Sequence, residues 1–128
     1  MADALSASFE VTDWTEVEFD AGPDRAKLTK ASVQKKYSGD IDGTSVTEWV
    51  MAYSPDGTAT FVGIERISGT VGGREGSLVL QHVGAFADGA ATAELTVVSG
   101  TGKLDGVSGD GDFRADPSGT VNLRLTST

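Results

Sequence analysis

Cysteine is absent from this chain, and histidine occurs once in 128 residues. The first absence removes disulfides and thiolate metal sites. The second leaves no histidine cluster able to hold zinc, so neither metal nor cofactor is expected. No run approaches the ~18 consecutive apolar residues of a membrane-spanning helix. Basic residues are few: 10 Lys and Arg stand against 19 Asp and Glu, a formal net charge of −9. Binding a phosphate backbone needs a basic face, so nucleic acid is not an expected partner. The acidity reads as a device for solubility. Met1 to Glu10 has neither a basic start nor an apolar run, so no secretory signal is expected there, and the expected location is cytoplasmic. No stretch of ten residues carries a 3.6-residue apolar period, which leaves no helix to predict.

What is present is glycine, 17 of them, among many Thr and Val. This is the composition of punctuated strands. Ser6 to Phe19 alternates, with Phe9, Val11, Thr15, Val17 and Phe19 on or near one face and a break expected around Asp13-Trp14. Ala21-Gly22-Pro23-Asp24 is a turn. Leu28 to Ser38 places Thr29, Ala31, Val33 and Tyr37 on one face and Lys30, Gln34 and Lys36 on the other. Further turns fall at Asp40-Ile41-Asp42-Gly43, Ser54-Pro55-Asp56-Gly57, Gly72-Gly73, Asp88-Gly89 and Asp116-Pro117-Ser118-Gly119. About eight short strands at this spacing predict an all-β fold, a single antiparallel β-barrel domain over residues 1–128.

Turn chemistry sets the register. A type I′ loop at Gly72-Gly73 puts Ile67 opposite Leu78, Glu65 opposite Leu80 and Gly63 opposite His82. The Pro55-Asp56-Gly57 loop puts Trp49 opposite Gly63, Met51 opposite Phe61 and Thr47 opposite Glu65. One face then gathers Trp49, Met51, Tyr53, Phe61, Glu65, Leu78, Leu80 and His82, with Gly63 leaving space before the imidazole. This bulky face is assigned to the barrel interior, as the wall of a ligand site. The opposite face carries Val46, Glu48, Val50, Val62, Ile64, Arg66, Val79, Gln81 and Val83. Glu48 is expected to pair with Arg66 there. Its apolar stripe calls for a partner subunit, so a homo-oligomer, with a dimer favoured, is expected. A Pro117-Ser118-Gly119 loop would set Phe113 opposite Leu123, Ala115 opposite Val121 and Asp112 opposite Arg124.

Glu65 and His82 are the candidate acid and base, since two titratable groups on an apolar face can be poised near neutrality. A buried hydrogen-bonded pair that only fixes register is the alternative. Arg74 belongs at a hairpin tip, either solvated or locked onto a neighbouring loop. Ser99-Gly100-Thr101-Gly102-Lys103-Leu104 is not a phosphate-binding loop. Val97 stands where the first glycine is required, and Leu104 where Ser or Thr would meet magnesium. It reads as a tight corner with Leu104 plugging the core. Asp105, Asp110 and Asp112 match no calcium-loop spacing.

The run V-G-I-E-R-I-S-G-T-V-G-G-R-E-G-S-L-V-L-Q-H-V-G, followed by V-V-S-G-T-G-K-L-D-G-V-S-G, resembles the bacterial domain-of-unknown-function family thirty-two twenty-four. The likeness runs from F-E-V-T-D-W-T-E at Phe9 to the last strand. The motif includes the positions of Glu65, Arg74, Gln81 and His82. That family is similar in fold to the eight-stranded allene oxide cyclase barrel, and the glycine corner also resembles that of dirigent proteins. The resemblance implies an allene oxide cyclase-like barrel, often oligomeric, and carries no reaction or catalytic residue. Three readings follow: a barrel that binds a small apolar molecule, a cyclase or isomerase acting on an apolar unsaturated substrate, and a solid-core structural or interaction barrel. The interior volume separates them.

Overall fold

A computed structural model describes residues 2–116 and 119–127. Eight strands follow one another: β1 (Ala2–Asp20), β2 (Leu28–Gly39), β3 (Ile41–Tyr53), β4 (Ala59–Val71), β5 (Arg74–Ala87), β6 (Ala90–Gly102), β7 (Ser108–Ala115) and β8 (Gly119–Thr126). Each pairs antiparallel with the next, and β8 returns to β1, closing the barrel. Closure leaves no sheet edge. The turns act as their residues dictate. Gly72 and Gly73 both have positive φ, 58° and 80°, the requirement of a type I′ hairpin. Val71 faces Arg74, Glu65 faces Leu80 and Gly63 faces His82, and Trp49 and Met51 face Gly63 and Phe61 as expected.

Four details differ from the sequence reading. Thr12 is left unpaired between Val11↔Lys35 and Asp13↔Gln34, and this bulge reverses the parity of β1. Phe9 therefore points inward, while Val17 and Phe19 point out to solvent and Trp14 and Glu16 take the inner side. At the expected Asp40–Gly43 turn, Ile41, Asp42 and Gly43 are already in β3 and pair with β4, because Ile41 is drawn into the core. Glu48 does not pair with Arg66; it reaches across β2 to Ser32 at 2.9 Å and Lys30 at 3.5 Å. The last hairpin is shifted by two residues: Phe113 faces Val121, Gly111 faces Leu123, Asp112 faces Asn122 and Asp110 faces Arg124. Gly119 is thereby inside the sheet opposite Ala115 and Phe9, under the Phe9 ring. A two-residue shift keeps every side chain on its expected face. Pro117 and Ser118 of the expected turn lie outside the described residues.

The interior is layered. At one end Leu5, Ile41, Val71, Leu104 and Leu125 make an apolar plug. Leu104 sits there because Gly100 lets the corner fold tightly: a Cβ at Gly100 would lie 2.2 Å from the Leu104 carbonyl oxygen. Arg74 locks this end, donating to Asp3 at 3.2 Å and to Ser127 at 3.1 Å. A polar layer crosses the middle. Aromatic rings fill the other end, beside the Ser54–Thr58 and Asp88-Gly89 turns.

Gly119 gives a test of this register. A Cβ there would meet three Phe9 ring atoms at 2.1–2.3 Å. Gly119→Ala is expected to lose about 1–3 kcal/mol, the usual cost of overpacking. Phe9→Leu in the same chain should return part of that loss. Urea unfolding of the two single variants and the double variant measures the coupling.

Candidate functional site

Glu65 is the centre of the polar layer. Strand parity points it inward from β4, where only 1% of it is exposed. An isolated buried carboxylate would be strongly disfavoured, and here four side chains meet it. Tyr37 and Ser45 each donate a hydroxyl to Oε2 at 2.6 Å. His82 Nε2 lies 2.9 Å from Oε1, and Lys35 Nζ lies 3.5 Å from the same oxygen. Burial alone would push the carboxyl up. The Lys35 charge, then His82 and Ser45, outweigh it and hold Glu65 down at about 2. Tyr37 is raised well above its ordinary range by burial and then by the Glu65 charge, so it stays a donor.

The state of His82 follows from its other nitrogen. Trp49 Nε1 donates to His82 Nδ1 at 3.1 Å. An indole N–H can only donate, so Nδ1 carries no proton and the ring is the neutral Nε2–H form, donating to Glu65. Protonation would set two N–H groups against each other. Burial lowers His82 below its usual value in agreement with this. Gly63 makes the contact possible. A Cβ there would meet Trp49 Cδ1 at 2.4 Å, so the space expected before the imidazole is occupied by the indole itself.

Lys35 is the residue that the sequence reading missed. It lies 1% exposed on the inward face of β2, in the alternation of Val33 and Tyr37. Its ammonium is 4.4 Å from the centroid of Phe9, 4.8 Å from Phe113 and 5.3 Å from Trp49, so ring faces supply what hydrogen bonds do not. Burial lowers Lys35, with Glu65 opposing. Ser45, also inward on β3, was equally legible by parity.

Beyond these rings the barrel opens into a cavity of about 170 Å³. Trp49, Met51 and Phe61 line it. Phe9, Trp14, Phe86 and Phe113 complete the aromatic wall, with Val11, Ala91 and Ala115 between them. Trp14 reaches it only through the Thr12 bulge and packs edge-on against Trp49 at 5.6 Å. The other candidates do not line this cavity. Glu65 and His82 lie behind Trp49 and Phe113, Leu78 and Leu80 are fully buried in the core, and Tyr53 turns to Glu16, donating at 2.6 Å. Thr29 and Trp14 also donate to Glu16. Burial and then Glu16 push the Tyr53 hydroxyl up to about 12. A wider groove of about 460 Å³ runs outside, between the β1–β2 loop and the Ser54–Gly57 turn. It is open, with Glu18, Arg25, Lys27 and Asp56 mixed along it, and it lacks the enclosure of the barrel mouth. Among the described residues no group of three metal-ligating side chains occurs.

The profile of the family described as protein of unknown function (DUF3224) matches residues 5–126. The chain belongs to that family. A crystal structure of a DUF3224 protein of unknown function from Shewanella oneidensis MR-1 superposes with a TM-score of 0.81 at 25% identity, covering 100% of this chain and 99% of that one. No curated protein matches the sequence. The family thus comes with a solved fold and without a named activity.

Two predictions test the polar layer. Glu65 and His82 are both depressed, so each contributes stability above its unfolded value that is lost as pH falls. The loss should begin near 6.5 as unfolded His takes up protons, and deepen below 4.5 toward about 2 as Glu65 does. Glu65→Gln should cost about 3–5 kcal/mol at neutral pH by leaving Lys35 unpaired, and should flatten the acid limb. Urea midpoints measured across pH decide this; an unchanged acid limb would refute the assignment. Thr47 provides the opposite sign. Its buried hydroxyl faces Glu65 across the ladder with no partner. Thr47→Val should therefore be neutral or stabilising by up to about 1 kcal/mol, whereas Ser45→Ala should destabilise.

Proposed function

We propose that this protein binds a small, ring-sized apolar molecule in the mouth of the barrel. The observation that carries the reading is the 170 Å³ cavity with a wall of apolar side chains. An apolar cavity of ~150 Å³ stays dry and accepts a benzene-sized guest, so this volume suits one ring with short substituents. The wall also argues for the class of guest. Both indole N–H groups near it are already engaged, Trp14 to Glu16 and Trp49 to His82. A guest with buried polar atoms would leave them unsatisfied, at about 1–3 kcal/mol each. The resemblance to allene oxide cyclase and dirigent barrels supports confinement of an apolar molecule and brings no reaction with it.

A cyclase or isomerase has less support. Proton transfer needs an acid or base within hydrogen-bond reach of the guest, and every residue lining the cavity is apolar. Glu65 and His82 instead serve the wall from behind, holding Trp49 in place. The solid-core reading suits the plug end and leaves the mouth without an account.

The two tryptophans of the chain both line the cavity, which provides a direct readout. Titration with toluene or indene should give a saturable change in intrinsic fluorescence. Ala91→Leu, which fills the cavity from its wall, should abolish that change while leaving the fold intact by circular dichroism. Absence of saturation with either probe, or an equal response in the filled variant, would reject the proposal.

A further inference from the structure

The charge behind the aromatic wall decides what the cavity in front of it can hold. Six rings, Phe9, Trp14, Trp49, Phe61, Phe86 and Phe113, line that cavity. In a chain of net charge −9, such a box would suit an organic cation, since ring faces attract cations within about 6 Å of their centroids. Three of the six are already engaged by Lys35. Its ammonium stands over Phe9 at 4.4 Å, Phe113 at 4.8 Å and Trp49 at 5.3 Å. Its one hydrogen bond among the described residues is a long one, to Glu65 at 3.5 Å. The Glu65 charge is shared in turn with Tyr37, Ser45 and His82. The ion pair therefore meets the rings with its positive end.

We propose that Lys35 is the specificity-determining residue of the mouth, reserving the cavity for uncharged, electron-rich aromatic rings and refusing electron-poor and cationic rings of the same shape. The proposal rests on the apolar-guest reading above and adds the electronic character of the guest to its size. Two effects of the ammonium act in the same direction. It draws the π density of Phe9, Trp49 and Phe113 to their inner faces. The cavity side is then short of the negative potential on which a cation or an electron-poor ring would stack. The charge also acts directly. A guest stacked about 4–5 Å beyond those rings stands roughly 9 Å from Nζ. At an effective dielectric of about 20, a lone unit charge at that distance would change the affinity of a cation more than tenfold. Glu65, farther back, offsets much of this, and about a threefold repulsion remains. With the engaged ring faces added, the discrimination due to Lys35 is about fivefold.

Isothermal titration calorimetry of the full chain with matched probes tests this. Toluene and N-methylpyridinium have the same shape and the same number of electrons and differ by one charge. The wild type should bind toluene about tenfold or more tightly than the cation. Lys35→Met/Glu65→Gln removes both charges together and keeps an acceptor for the surrounding donors. In that variant, its fold checked by circular dichroism, the ratio should fall about fivefold. Desolvation of the cation is the same in both proteins, so a purely structural role for Lys35 leaves the ratio unmoved. Chlorobenzene needs no variant and decides the matter should the double variant fail to fold. It matches toluene in size and hydrophobicity, but chlorine withdraws density from the ring. The wild type should bind it about twofold or more weakly than toluene. Suppose toluene binds while N-methylpyridinium or chlorobenzene binds as tightly, or while the ratio is unchanged in the double variant. The role of Lys35 is then overturned and the cavity reading stands. Failure of both toluene and chlorobenzene to bind rejects that reading, and the inference with it.

Discussion

The Glu65 carboxylate is the constraint on which the rest of the barrel depends. It takes donors from β2, through Lys35 and Tyr37, from β3 through Ser45, and from β5 through His82. Four neighbouring strands are therefore tied to one buried charge. Stability alone does not explain such an arrangement, since a buried ion pair replaced by well-packed apolar groups is often neutral. Its effect is selective. Slipping any of these strands by one residue would turn its donor to solvent and strand the carboxylate in the core. Apolar faces alone tolerate exchange of one aliphatic residue for another, whereas this carboxylate accepts one pairing.

The same network determines the chemistry of the mouth. Lys35 needs ring faces because only Glu65 approaches its ammonium, and Phe9, Trp49 and Phe113 provide them. Those three residues also line the outer cavity. One set of rings thus has a charge on its inner side and an open volume on its outer side. His82 uses its remaining nitrogen to fix the Trp49 indole. The polar layer is consumed in building an apolar wall, and so none of its groups faces the cavity. This is why a hairpin rich in titratable residues leads to a binding reading and away from a catalytic one.

Much of this was legible in the sequence wherever a turn has a single solution. Gly72-Gly73 and Pro55-Asp56-Gly57 fixed three strands residue by residue, and with them the inward placement of Glu65, His82 and Trp49. The Thr12 bulge gave a weaker signal: a break was expected beside it, around Asp13-Trp14, but not the reversal of faces that it brings. It leaves one residue unpaired in a strand whose composition looks the same on both sides of it, so Val17 and Phe19 were placed with Phe9 and Trp14 was not placed at all. Lys35 was hidden for a different reason. Its position in the alternation of Val33 and Tyr37 was plain, but a lysine at an inward position contradicts composition until its carboxylate partner is known to lie across the barrel. Gly119 similarly became a strand residue only through Phe9, which is more than a hundred positions away in sequence.

Alternation itself separates the two halves of the barrel. Strand β8 repeats buried and exposed positions with polar residues outward, Thr120, Asn122 and Arg124. So does β2, with Lys30, Ser32, Gln34 and Lys36. In β3–β5 the outward positions include Val50, Val62, Ile64 and Val83 beside Glu48, Arg66 and Gln81, so apolar runs such as Trp49–Met51 and Phe61–Val62 interrupt the alternation. Runs of that kind normally belong to strands covered on both faces. The inner cover is the barrel core. On the outer side no described residue covers these four side chains, which stand 49–53% exposed where β2 and β8 turn polar groups to water.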